Sequence, residues 1–210
     1  MRFHLSTLSD RQQQAVRQLG PILAERGFYL AGGTAVALWL GHRHSVDLDW
    51  FTAQPFKDPA QLAHDLSESG IRLTGETVNP GTLQGSVAQV KVSMFEHSYP
   101  CLVPPVRCAP LGCLLAGEPD LAAMKILALS QRGAKRDFID LFALARQRDS
   151  LRPLLDNYQK KYRTEEIVHV LHSAVYFKDA AKDRTPPMFW DVDWRMIQKT
   201  FLRWVEDIKP

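Results

Sequence analysis

The sequence predicts an α+β fold: a small mixed-sheet core with flanking helices over residues 1–115, then a helical half over residues 116–210. Three observations lead there. Residues 28–51 read as strand, Gly-Gly turn, short helix and second strand. Residues 71–105 carry apolar residues set among turn signals, the mark of short strands. From Pro119 the chain turns helical and stays so to its end, apart from a turn-rich run at Arg184 to Pro187.

Ser6 to Gly27 reads as helix, with Ser9 as cap and Val16, Leu19, Ile22 and Leu23 at helical spacing. Pro21 marks a kink or a second start. Phe28 to Ala31 is a short apolar strand, and Gly32-Gly33 breaks it because only glycine takes positive φ freely. Thr34 is placed to cap the helix Ala35 to Leu40. A loop of Gly41, His42, Arg43, His44 and Ser45 leads to a strand from Val46 to Phe51. Pro59 to Ser69 reads as an amphipathic helix with Leu62, Ala63 and Leu66 inward. Strands follow among turns at Gly75, Asn79-Pro80-Gly81 and Gly85, and Val90 to Phe95 is the most strand-like piece. Asp120 to Leu129 is apolar nearly all round, which marks a buried helix opened by Pro119 and Asp120. After a turn at Gln131 to Ala134 comes a helix with Phe138, Leu141, Phe142 and Ala145 inward. Thr164-Glu165-Glu166 opens another, with Ile167, Val168, Leu171, Ala174 and Val175 as its stripe. Trp190, Trp194, Phe201 and Trp204 punctuate a last helix and read as core.

Apolar residues make up 45% of the 210 and charged residues 23%, so a real core is expected. The net charge of +3 is mildly basic and compatible with a phosphate-rich partner. Cys101, Cys108 and Cys113 lack zinc-like pairing and read as reduced thiols; His42 and His44 read first as polar loop residues, with metal ligation as the alternative. Met1-Arg2-Phe3-His4-Leu5 has no signal-peptide pattern, and no apolar run approaches the roughly 18 residues of a membrane span. The expectation is a soluble cytoplasmic protein with no membrane association.

The chemistry gathers in the second strand. Side chains alternate faces, so Asp47 and Asp49 share one face while Val46, Leu48 and Trp50 share the other. Two adjacent carboxylates repel each other, and a divalent cation between them turns that cost into a gain. The Gly32-Gly33 turn and the helix N-terminus offer backbone N–H groups to a phosphate. The turn is neither a P-loop, which needs a second glycine and Lys-Ser/Thr, nor a dinucleotide fingerprint, which needs a third glycine. Lys125 is the one charge between Leu121 and Leu129. It either pairs with a core carboxylate, snorkels, or aims into the cleft at a triphosphate. Asp137 and Asp140 share a helix face, and Asp140 can pair with Arg136 four residues back.

Four signatures occur together: Gly32-Gly33-Thr34-Ala35; Leu40-Gly41-His42-Arg43 with Ser45 and Asp47-Leu48-Asp49; Asp120 and Lys125 with four residues between them; and Arg136-Asp137 with Asp140-Leu141. Together they resemble the AbiEii/AbiGii toxin family of nucleotidyltransferases, within the polymerase-β-like superfamily, over about residues 28–145. The resemblance implies transfer of a nucleoside monophosphate from a nucleoside triphosphate, with Asp47 and Asp49 holding Mg²⁺ or Mn²⁺. It implies catalytic roles for Asp47, Asp49, Lys125 and Asp137, and nucleotide binding by Gly32, Gly33, Thr34, Arg43, Ser45 and Lys125. It suggests the toxin half of a bacterial toxin–antitoxin or abortive-infection system, with a separately encoded antitoxin and tRNA among the acceptors. In many nucleotidyltransferases a third carboxylate comes from a strand near Val90 to Phe95. Here Ser93 holds that position with Lys91 on its face, and Glu96 is one step out of register. The alternative is therefore a catalytically weakened relative that binds nucleotide or a protein partner, and an acid such as Glu76 or Glu96 near the pair would decide against it.

Overall fold

The computed structural model describes residues 3–208. The outermost residues of the two expected regions, 1–2 and 209–210, and with them Met1 and Arg2 of the expected leaderless start, lie outside it. The sheet is mixed, as the sequence predicts, with seven strands in the order β3-β4-β5-β2-β1-β7-β6. These are β1 Tyr29–Leu30, β2 Leu48–Thr52, β3 Thr74–Asn79, β4 Thr82–Val87, β5 Val90–Glu96, β6 Val106–Cys108 and β7 Cys113–Leu115. The helices are α1 Asp10–Glu25, α2 Gly32–Leu40, α3 Pro59–Glu68, α4 Glu118–Arg132, α5 Lys135–Ala145, α6 Arg152–Tyr162, α7 Val168–Ala174 and α8 Trp194–Glu206. None among the described residues is long and apolar enough to cross a membrane.

The alternation in β2 divides the molecule. Leu48 and Trp50 face one side, where Val16, Leu19 and Leu23 of α1 and Leu62 and Leu66 of α3 cover them. The opposite face looks toward the later helices. There Tyr29, Ala31, Ala35 and Val36 share an apolar layer with Ile126, Phe138, Phe201 and Trp204. Asp49 lies on that second face, so the fold turns it toward α4 and α5.

Local signals account for most elements. Ser9 caps α1 through a capping box with Gln12, and the helix runs on through Pro21 without a break. Asp58 caps α3 with Pro59 at its start. All three cysteines are free thiols, and Cys108 faces Cys113 across the β6–β7 hairpin.

Several expectations are corrected. Thr34 does not cap α2; the helix begins at Gly32 with Ala31 as its cap residue. Val46 does not join Leu48 and Trp50 in the core: it is 69% exposed, and β2 begins only at Leu48. Gly75 and Gly85 are not turns. Gly75 sits in β3 at φ +61°, where the register with β4 shifts. Gly85 sits within β4, where a Cβ would meet Leu73 Cδ2 at 2.8 Å. The turn between β4 and β5 instead uses Ala88 and Gln89, both at positive φ, a conformation their side chains do not advertise. The helix expected to open at Thr164 begins at Val168, and Trp190 precedes α8, its ring under the Arg146 guanidinium.

Candidate active site

A cleft of about 480 Å³ opens between the Asp49 face of β2, the N-terminus of α2, α4, the start of α5 and a strap at 184–187. Gly32, Gly33, Arg43, Ser45, Asp47, Asp49 and Lys125 all line it. Thr34 and Asp137 stand behind that lining.

The glycine turn serves two neighbours. Gly32 takes φ +62°, and a Cβ there would lie 2.9 Å from Asp49 Oδ2. Its lack of a side chain therefore lets the backbone turn against the carboxylate. At Gly33 a Cβ would lie 2.3 Å from Arg43 Nη2, so this glycine makes room for a guanidinium. Thr34 is buried in the first turn of α2. Its hydroxyl donates to the Asp47 carbonyl and lies 2.8 Å from Ser45 Oγ, which locks the loop leading into β2.

Asp47 and Asp49 lie side by side at the cleft. Burial raises the Asp49 carboxyl above its ordinary value, and the neighbouring charge of Asp47 raises it further. Among the described residues no hydrogen-bond donor reaches the Asp49 side chain. The one ion pair to the two carboxylates among the described residues is long, Arg136 Nη1 to Asp47 Oδ2 at 3.8 Å. Parallel pairing sets Ser93 directly beside Asp49. Glu96 pairs with Thr52, and its oxygens accept from the Phe56 N–H and the Ser98 hydroxyl. Glu76 lies exposed on edge strand β3. No third His, Cys, Asp or Glu joins the pair among the described residues.

Behind the cleft lies a buried ionic cluster. Asp140 is fully buried and does not pair with Arg136, the partner that the sequence offers. Its partners come from the α2–β2 loop and from α4. Arg43 Nε and Nη2 donate to it at 2.6 and 2.8 Å, and Lys125 Nζ lies 2.6 Å from Oδ2. His42 Nε2 sits 2.8 Å from Oδ1 and carries the proton there, because an ionised carboxylate only accepts. Burial alone would raise the Asp140 carboxyl, but Arg43, Lys125 and His42 outweigh it and hold it well below the usual range. Asp137, also fully buried, accepts from Lys125 Nζ at 3.1 Å and from Arg132 Nε and Nη2 at 2.7 and 2.9 Å. Burial pushes it up, while Arg132 and Lys125 pull it down to a net lowering. Lys125 thus takes the first of its sequence alternatives, pairing with core carboxylates, and it also lines the cleft.

Sequence reasoning gave no site role to Arg132, Arg136, Arg184 or Asp140, although Arg136 and Asp140, like His42, stand within the signatures it identified. Asp140 was legible in the Arg-Asp-x-x-Asp run. Arg132 read as turn and Arg184 as loop, and only the packing of α4, α5 and the strap brings them to the cleft.

Comparison with known proteins bears on the whole chain. An uncharacterised protein of Aquifex aeolicus (strain VF5) is 34% identical over 206 residues, covering 95% of this chain and 97% of that protein. MenT4, a nucleotidyltransferase toxin of Mycobacterium tuberculosis H37Rv, superposes with a TM-score of 0.59 at 14% identity, over 94% of this chain and 83% of its own. JHP933 of Helicobacter pylori superposes with a TM-score of 0.53 at 17% identity, over 95% and 90%. At these identities the two structures speak for the fold alone. The description "nucleotidyl transferase AbiEii toxin, type IV toxin–antitoxin system" matches residues 16–208, a span holding both the Asp47–Asp49 pair and the ionic cluster. The chain belongs to that family and is an enzyme of the nucleotidyltransferase class.

Proposed function

We propose that the protein transfers a nucleoside monophosphate from a nucleoside triphosphate to an acceptor hydroxyl, with release of pyrophosphate. The acceptor in this reading is tRNA, and the protein is the toxin of a pair with a separately encoded antitoxin. The observation that carries it is the Asp47–Asp49 pair: two crowded carboxylates at a cleft, one of them raised and without a protein donor. That all-oxygen donor set fits a hard divalent cation. Asp47 and Asp49 would hold Mg²⁺ or Mn²⁺, which when bound supplies positive charge against the triphosphate.

The chain's own groups supply the rest. Gly32 and Gly33 open α2 and line the cleft, and the first N–H groups of a helix, which have no intrahelical partner, are suited to a phosphate oxygen. Thr34 and Ser45 hold that turn in place, and Arg43 braces it from below through Asp140. Lys125 adds positive charge to the floor, its direction fixed by Asp137 and Asp140. Asp137 accepts an acceptor proton only when Arg132, whose side chain is 49% exposed, swings off it. Its lowered pKa makes it a weak base, so positioning Lys125 is its larger contribution. The absence of a third carboxylate from β5 favours a second reading, in which nucleotide and metal bind but transfer is slow.

The test is transfer from radiolabelled nucleoside triphosphates to total RNA with Mg²⁺ or Mn²⁺. Label on tRNA with the native chain, lost with Asp49→Asn, is expected. Metal-dependent nucleotide binding without label transfer would select the second reading. Neither binding nor transfer would sink both.

A further inference from the structure

Five cations line the cleft: Arg43, Lys125, Arg132, Arg136 and Arg184. Three are committed to the buried carboxylates. Arg43 and Lys125 hold Asp140, and Lys125 and Arg132 hold Asp137, all at 3.1 Å or less. Arg136 differs. It belongs to the first turn of α5, yet its guanidinium turns away from the cluster toward Asp47. The contact is long, 3.8 Å, and both side chains are well exposed, at 47% and 37%. Among the described residues it is the one ion pair made by either carboxylate of the Asp47–Asp49 pair.

The base of this arm is rigid and its tip is free. Lys135 is buried and tied to Asp183 through its backbone N–H, at 2.9 Å, and through its ammonium. Asp137 is locked by Lys125 and Arg132. The backbone at residue 136 is therefore held on both sides, while the Arg136 side chain has no other ion pair or side-chain hydrogen bond among the described residues. Exposed ion pairs of this kind contribute little and break easily. A divalent charge arriving between the carboxylates would reverse the field at the guanidinium from attractive to repulsive.

We propose that Arg136 is an exchangeable counterion: it screens the Asp47–Asp49 pair in the free protein, and once metal takes the carboxylates it turns to an anionic oxygen of the nucleotide. This role rests on the reading of Asp47 and Asp49 as a metal clamp. It makes Arg136 a competitor of the metal and a ligand of the nucleotide. Removing its charge therefore moves the two affinities in opposite directions, which loss of a structural contact does not do.

The experiment titrates Mn²⁺ into nucleotide-free protein, followed by the paramagnetic signal of the free ion, for the native chain, Arg136→Gln, Arg136→Lys and Asp49→Asn. Nucleotide is then titrated at saturating Mn²⁺, and metal-free melting curves are recorded. Arg136→Gln is expected to bind Mn²⁺ about two- to fivefold tighter, the size of an exposed ion pair. It is expected to bind nucleotide about tenfold more weakly, the size of a lost charge-assisted hydrogen bond. Arg136→Lys should keep Mn²⁺ affinity near native, and the metal-free melting temperature should hold in both variants. Unchanged or weaker Mn²⁺ binding by Arg136→Gln, in a series where Asp49→Asn loses it, would overturn the exchange alone. Equal Mn²⁺ binding by the native chain and Asp49→Asn would remove the clamp, and this role of Arg136 with it.

Discussion

At the scale of single residues, the two kinds of carboxylate in this site sit in opposite environments. Asp140 is a buried charge made tolerable by Arg43, Lys125 and His42. Asp140→Asn strands Arg43 without its carboxylate and leaves Lys125 with Asp137 alone, and we expect a loss of about 3–5 kcal/mol in urea denaturation. Asp49 has crowding in place of partners, so Asp49→Asn should leave metal-free stability unchanged or slightly higher. The pH responses separate accordingly. Asp49 is raised, so its affinity for Mn²⁺ should fall as pH drops through a value above the ordinary 3.8. Asp137 and Asp140 are depressed, so what they add to stability is present above the unfolded carboxylate pKa of about 3.9 and is lost as pH falls through their lower folded values. A pH titration should therefore lose Mn²⁺ binding first and the contribution of the ionic cluster to stability only at lower pH. Simultaneous loss would contradict the assignment of the two environments.

At the scale of elements, α2 and the strap frame the cleft. The N-terminus of α2 must pass close over both Asp49 and Arg43, and each of its first two residues is glycine for a separate neighbour. Gly33→Ala puts a methyl group into the space of a guanidinium that is buried and bonded to Asp140 through two nitrogens. Arg43 has to leave that geometry, and we expect a loss of about 1–3 kcal/mol, the cost of an unmet buried polar group. A melting temperature equal to native would mean that Arg43 finds another seat. The strap is pinned at both ends. Asp183 accepts from the first residue of α5, and the Pro187 carbonyl accepts from the His44 N–H at 2.9 Å. His44 also packs its ring on Phe189, 4.4 Å between centroids. The strap is thereby a fixed wall that carries Arg184 to the cleft.

At the scale of the molecule, the helical half is tied to the sheet by more than apolar contact. Asp120 in the first turn of α4 accepts from Lys161 Nζ at 2.6 Å and from the Leu102 and Val103 N–H groups. One buried carboxylate thus joins α4, the end of α6 and the segment between β5 and β6. Lys161→Met leaves that carboxylate buried without its cation, and a stability loss of about 3–5 kcal/mol is expected. Because Asp120 stands five residues before Lys125 on the same helix, the change should also weaken nucleotide binding in a direct titration. Unaltered binding would show that α4 keeps its place without the tie.

The sequence by itself determined what is local and periodic. The Ser9 capping box, the strand–turn–helix–strand of residues 28–51 and the buried character of Asp120 to Leu129 all follow from near neighbours along the chain. It also placed Asp49 opposite Leu48 and Trp50, because strand alternation is set by covalent geometry, whereas Asp47 precedes β2 and reaches the cleft through the loop, and Ser93 comes beside Asp49 only through the β2–β5 register. Tertiary structure decided everything that depends on which charges meet. Asp140 chose Arg43 and Lys125 over Arg136, four residues away, because the side of α5 that carries it is buried against α2 and α4 while Arg136 stays in solvent. Gly33 proved to be shaped by a guanidinium reached only through the fold, and Gly85 by a leucine. Pair energies between buried charges depend on burial and distance, and neither is written in spacing along the chain.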